Sequence, residues 1–167
     1  MTVFVSATLA GPDTKRKIHA RDIKAVSVVR IAAPRTTSFH GFEDVAGAAV
    51  RFKVVGRRLV IARFTTDSSC TNRHSLTGPL YCSVRIMISA GPGGTFVEMA
   101  PQPASHFEVF TTDGDSGSHA MERSFGPVRP GNYTVKVQFG LPFLGNIGQP
   151  SFSLRFSHLT VERARAA

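Results

Sequence analysis

A two-residue rhythm of apolar and polar side chains, repeated in run after run, constrains this chain more than any other feature. Tyr133, Val135, Val137 and Phe139 alternate with Thr134, Lys136 and Gln138. Val50, Phe52 and Val54 alternate with Arg51 and Lys53, and Val60, Ala62 and Phe64 share one phase of Arg58–Thr66. Cys82, Val84, Ile86 and Ile88 do the same within Tyr81–Ser89. Successive side chains of a strand point to opposite faces, so each run reads as a half-buried strand. Lys24–Ala33, Thr95–Met99, His106–Thr111 and Ala120–Phe125 add further runs, the first placing Val26, Val28 and Arg30 on one side. Gly56, Gly91–Gly94 and Pro130–Gly131 supply turns between them. About eight to ten strands separated this way predict an all-β fold, an antiparallel β-sandwich or jelly roll.

The last run contains a conflict. Phe152, Leu154 and Phe156 lie in one phase, Leu159 and Val161 in the other. Strict alternation cannot bury all five, and a bulge near Ser157–His158 would re-aim the strand.

With 167 residues and 42% hydrophobic content, the chain suits one domain with its own core. The 15 Gly and 10 Pro favour short elements joined by turns, and 13 Phe with no Trp supply nearly all the aromatic core. Residues 1–45 read as an extended N-terminal arm punctuated by Pro12 and Pro34, and residues 46–167 as the sandwich. Met1–Gly11 is apolar but lacks a positive leading region, and its basic residues follow the apolar run, the wrong order for a signal peptide. No stretch approaches the ~20 apolar residues needed to span a bilayer. The expectation is a soluble chain with no membrane partner.

Cys70 and Cys82 are the only cysteines, and they bracket a loop rich in Asn, Gly, Pro, Ser and Thr between two strand-like runs. They read as a disulfide, which needs oxidising surroundings. No secretion signal accompanies them. The thiols stay reduced, a leader has been removed, or the protein is oxidised after leaving the cell by another route.

The net charge is +9. Arg51, Arg63, Arg85 and Arg155 lie singly along strands and read as solvated faces. Lys15, Arg16, Lys17, His19, Arg21 and Lys24 form the one basic cluster, a contact region for an acidic partner or nucleic acid. Nucleic acid is the less favoured of the two, because readers of it concentrate charge along one stripe with exposed aromatics.

Chemistry-bearing motifs are sparse. Gly114-Asp115-Ser116-Gly117 matches the tetrapeptide around the nucleophile of trypsin-like proteases, but Ser118-His119 follows it and no histidine has the matching context. It reads as a turn. Asp113 and Asp115 offer carboxylates for calcium, without the closing glutamate of an EF-hand. The six histidines form no HxH or HExxH pair. Asn132-Tyr133-Thr134 is a formal glycosylation sequon at a turn. No enzyme activity and no cofactor are expected.

Four segments, taken in order, carry a resemblance: Cys70 with Tyr81-Cys82-Ser83-Val84-Arg85-Ile86, His119-Ala120-Met121-Glu122-Arg123-Ser124, Gly131 to Gln138, and Leu159-Thr160-Val161-Glu162-Arg163. This set resembles uncharacterised β-sandwich proteins of actinobacteria and their phages, similar in layout to jelly-roll domains of phage virion and tail-associated proteins. The likeness spans about residues 45 to 165. It departs where such sequences carry a Trp near the last strand, a neighbourhood occupied here by His158. The resemblance implies a non-enzymatic structural protein in a virion: a capsid decoration, tail or fibre-associated subunit. Its expected partners are other virion or surface proteins and copies of itself, with trimers one arrangement open to jelly rolls. The alternative is an extracellular module binding carbohydrate or another surface ligand. Against it, Trp is absent and the tyrosines are only Tyr81 and Tyr133.

Overall fold

Every strand pairing among the described residues joins a strand from the first half of the chain to one from the second half or to the next strand along. In the computed structural model, which describes residues 23–72, 80–101, 109–112, 114–143 and 150–165, ten strands form and no helix does. They are β1 (Ile23–Ile31), β2 (Arg35–Thr37), β3 (Phe42–Val54), β4 (Arg58–Asn72), β5 (Tyr81–Ala90), β6 (Val97–Glu98), β7 (Val109–Thr112), β8 (Ser116–Val128), β9 (Gly131–Phe143) and β10 (Pro150–Arg165). No helix of the described residues is long and apolar enough to cross a membrane.

All pairs are antiparallel. β1 pairs with β10, β3 with β9, β4 with β8 and β5 with β7, as though one long hairpin had been rolled around a barrel axis. Rolling interleaves the pairs into two sheets, β1-β10-β4-β8 and β3-β9-β5-β6, with β2 added beside β10 and β7 beside β5. That wrapping is a jelly roll, the sandwich the alternation predicts.

The core is what the period-two runs assign to it. Phe64, Phe152, Ile86, Ile88, Leu141, Leu154 and Leu159 are fully buried between the sheets. Phe139 and Phe152 meet across the gap with ring centroids 5.8 Å apart, and Phe110 packs on Phe152 at 6.4 Å. At Gly140 the chain just before β3 passes so closely that a Cβ would lie 1.6 Å from the Gly41 carbonyl oxygen, so only glycine fits.

The disulfide forms between Cys70 and Cys82, whose Cα atoms are 5.9 Å apart. Cys70 lies on β4 and Cys82 on β5, in opposite sheets, and both are buried. The bridge therefore ties the two layers through the core.

The N-terminal region divides differently from the expected arm over residues 1–45. Residues 1–22 lie outside the described residues. Residues 23–45, by contrast, supply β1, β2 and the start of β3 to the sandwich. Pro34 and its polar neighbours break this stretch into short pieces, but Ile23–Ile31 gains full pairing along β10. The phase of β1 is as expected, with Val26, Val28 and Arg30 on one side. That side faces solvent: Val26 is 51% exposed and Val28 54%.

Candidate functional site

The two outer faces differ in how far they satisfy themselves. On the sheet containing β9, Lys136 Nζ and Gln138 Nε2 both donate to the Asp44 carboxylate, at 2.8 and 2.7 Å. Arg85 Nε donates to Gln138 Oε1 at 2.7 Å and its guanidinium lies over the Phe42 ring, 4.1 Å from the centroid. Partial burial opposes the charge on Asp44, but the hydrogen bonds and the cations Lys136 and Arg85 outweigh it and hold the carboxyl below its ordinary value. Burial dominates at Glu98 and lifts its carboxyl, against the pull of Arg85 and Arg123. Arg85 is thus a cross-strand tie and not the solvated charge that its isolation in sequence implies. These groups stitch β3, β9 and β5 together and spend their hydrogen bonds on one another.

A second cluster surrounds the Gly114–Gly117 segment. Asp115 Oδ2 accepts from Thr111 Oγ1 at 2.9 Å and lies 3.3 Å from His119 Nε2. His119 Nδ1 is 2.8 Å from Ser68 Oγ and 3.1 Å from the Gly117 carbonyl oxygen. Serine, histidine and aspartate are therefore in a chain, which β4–β8 pairing creates and sequence spacing hides. Its chemistry is not that of an activated nucleophile. A carbonyl only accepts, so the contact to Gly117 requires the hydrogen on Nδ1, which then has no lone pair to take the Ser68 proton. Ser68 is also buried. Ser116, the residue in the nucleophile position of the sequence motif, is exposed on β8 opposite Ser69. Of the calcium pair, Asp115 is committed to Thr111 and His119, while Asp113 lies outside the described residues. No group of three or more metal-ligating side chains occurs among the described residues.

The outer face of the β1-β10-β4-β8 sheet is the open one. Its rows read Val28–Thr160–Arg63–Glu122, Arg30–His158–Thr65–Ala120, Arg155–Asp67–Ser118 and Thr36–Ser153–Ser69–Ser116. Arg63 and Glu122 form an exposed ion pair, an arrangement that contributes little to stability. Below them hydroxyls predominate.

Phe156 interrupts this face. Pairing of β10 with β4 slips between Arg155 and His158, so the conflict of phases in the last run is resolved by a bulge. Phe152, Leu154, Leu159 and Val161 are all buried as a result. Phe156 is turned outward instead, 67% exposed, with φ at 51°. That left-handed conformation costs a side chain with a Cβ about 1–2 kcal/mol, and bulges of this kind ordinarily place glycine there. The ring also recovers little by burial. Strain of this sort in a surface residue points to use. Phe156→Gly is therefore expected to leave stability unchanged or raise it by about 1 kcal/mol, the relieved strain offsetting glycine's extra unfolded-state entropy. Denaturant unfolding measures this, and a loss above ~2 kcal/mol would mean the ring serves the fold.

Of the remaining predicted site residues, Lys15, Arg16, Lys17, His19 and Arg21 lie outside the described residues. Lys24 is in β1. Phe156 is a surface residue that the sequence pattern does not single out. Its signal was the phase conflict, which identifies a bulge but not which of the five apolar side chains is released.

No protein-family model matches the chain, and no curated protein does. Among solved structures, the chain is similar to the infectious bursal disease virus VP2 subviral particle, at 10% identity over 96% of this chain and 42% of that one, with a TM-score of 0.42. T=1 particles derived from infectious bursal virus match at 11% identity over 96% and 41%, with a TM-score of 0.38. The chain thus spans about two-fifths of the length of those it matches. Overlap at this level leaves the fold resting on strand order and the site on its residues.

Proposed function

We propose that the protein is a non-catalytic structural component of an assembly, a virion subunit of the decoration, tail or fibre-associated kind, acting through contacts with copies of itself. The observation that carries this reading is the edge at β1. This nine-residue strand pairs only with β10 among the described residues, and Val26 and Val28 stand on its solvent side. A long edge with apolar side chains is a template for another strand, and monomeric proteins usually blunt such edges with lysine, proline or a bulge. In β1 both the lysine, Lys24, and the bulge, between Ile23 and Ala25, lie at its very start, leaving Ala25–Ile31 regular with Arg30 as its one charge.

The occupant we assign to the edge is the N-terminal segment of a neighbouring copy. The alternation of Val3, Val5, Ala7 and Leu9 against Thr2, Phe4, Ser6 and Thr8 suits strand addition, in which backbone hydrogen bonds supply affinity. Residues 1–22, at ~3.3 Å each when extended, have the reach to cross a subunit boundary. The basic residues Lys15, Arg16, Lys17 and Arg21 lie in sequence between that run and β1, and Lys24 is in β1 itself, a cluster that would meet an acidic surface of the partner.

Sedimentation velocity on the full chain tests this. Wild type is expected to self-associate, and Val26→Lys/Val28→Lys to remain monomeric with an unchanged melting temperature, since both side chains are already exposed. A wild-type monomer at about 100 μM, weaker than most functional contacts, would contradict the proposal.

A further inference from the structure

We infer that the outer face around Phe156 is a binding site for a neutral polyhydroxylated ligand, a glycan, with Phe156 as its stacking platform. The site lies on the sheet's central strands and is independent of the subunit contact at β1.

Phe156 stands between two hollows. One, of about 260 Å³, is lined by Thr65, Asp67, Ser118, His119 and His158 besides the ring. The other, of about 540 Å³, adds Ser69, Ser116, Ser153 and Arg155. Phe156 is the one large exposed apolar side chain among the residues lining either hollow. A protein partner would want its aromatic anchor inside a ring of other contacts that exclude water. Here the surroundings are wet, shallow and hydroxyl-rich, so the isolated ring suits a ligand that is apolar on one face only.

A pyranose has that character. Its C–H face can lie on the aromatic ring, and its hydroxyls, each donor and acceptor, need partners of both kinds around the rim. Ser and Thr hydroxyls supply both, the Asp67 carboxylate accepts, and the Arg155 guanidinium donates. Ser118 Oγ donates to Asp67 Oδ1, and Thr36 and Ser153 hydroxyls are 3.0 Å apart, so the rim is held in place before a ligand arrives.

Charge points to a neutral ligand. The chain carries +9 overall, yet Arg155 and Asp67 stand opposite one another in the β10–β4 register beside the ring. A polyphosphate or nucleic-acid site would concentrate cations there instead.

Titration calorimetry of the full chain against cellohexaose, maltohexaose, xylohexaose and chitohexaose tests the inference. At least one is expected to bind saturably, with Phe156→Gly weakening it at least about tenfold and Phe156→Tyr retaining it. The glycine variant should melt no lower than wild type, which separates loss of binding from loss of fold. Absence of binding by all four at ~10 mM, or equal binding by the glycine variant, would overturn it. So would a change in sedimentation caused by Phe156→Gly, which would assign the ring to a protein contact. The Val26→Lys/Val28→Lys variant should bind glycan as wild type does, so failure at the edge and failure at Phe156 read out separately.

Discussion

Phe152→Ala is expected to destabilise the fold by about 3–5 kcal/mol, the range for emptying a buried aromatic site. Phe152 is fully buried and packs against Phe110 and Phe139, both of the facing sheet, so the cavity opens where the two layers meet. Side chains anchored on long strands cannot collapse into it readily, which keeps the cost high. Against a typical total of about 5–15 kcal/mol, this leaves a marginal protein. Phe156→Ala is the control on the same strand: four residues further along, and within the bulge, it should cost less than about 1 kcal/mol because its ring is mostly in water. Equal losses in denaturant unfolding would mean that the bulge does not divide the strand as described.

Removing the disulfide ranks next. The Cys70–Cys82 bridge closes a loop with a sequence separation of 12, for which constraint of the unfolded chain contributes about 3 kcal/mol. Cys70→Ala/Cys82→Ala should lower stability by that amount and keep the sandwich, since the alternation on either side is unaffected. Both sulfurs are buried between the sheets, so a reductant reaches them only when the layers open. Alkylation of the unfolded protein without reductant should add no mass, because unfolding exposes both positions and only the bridge then protects them. Two alkylated thiols in the mature protein would remove the bridge from the account, and with it the argument for an oxidising setting such as a released virion.

What the amino-acid order makes legible is each strand by itself. Tyr133–Phe139 and Cys82–Ile88 announce their inner faces because pleating converts sequence parity directly into side. Which strands share a sheet is not local information: Cys70 and Cys82 read as a clasp across a loop, but only the rolled pairing places them in opposite layers. Parity also says that Val26 and Val28 lie together without saying that they face water, because that depends on whether anything packs over β1. The His119 cluster is invisible for the same reason, being assembled by register between β4 and β8. Phe156 is a partial case. Its run betrays a break in phase, while the choice of which phenylalanine leaves the core is made by packing against Phe110 and Phe139, which favours Phe152.

If β1 joins one subunit to the next, hydrogen exchange at its backbone amides reports the contact. In an antiparallel edge strand alternate amides bond to the neighbouring strand, here β10, and the others point outward. The outward amides of Ala25–Ile31 are expected to exchange freely in dilute protein. As concentration rises they should become protected together, to the level of the amides in β4. Free exchange at every concentration, or protection that does not depend on concentration, would contradict a contact between subunits at this strand.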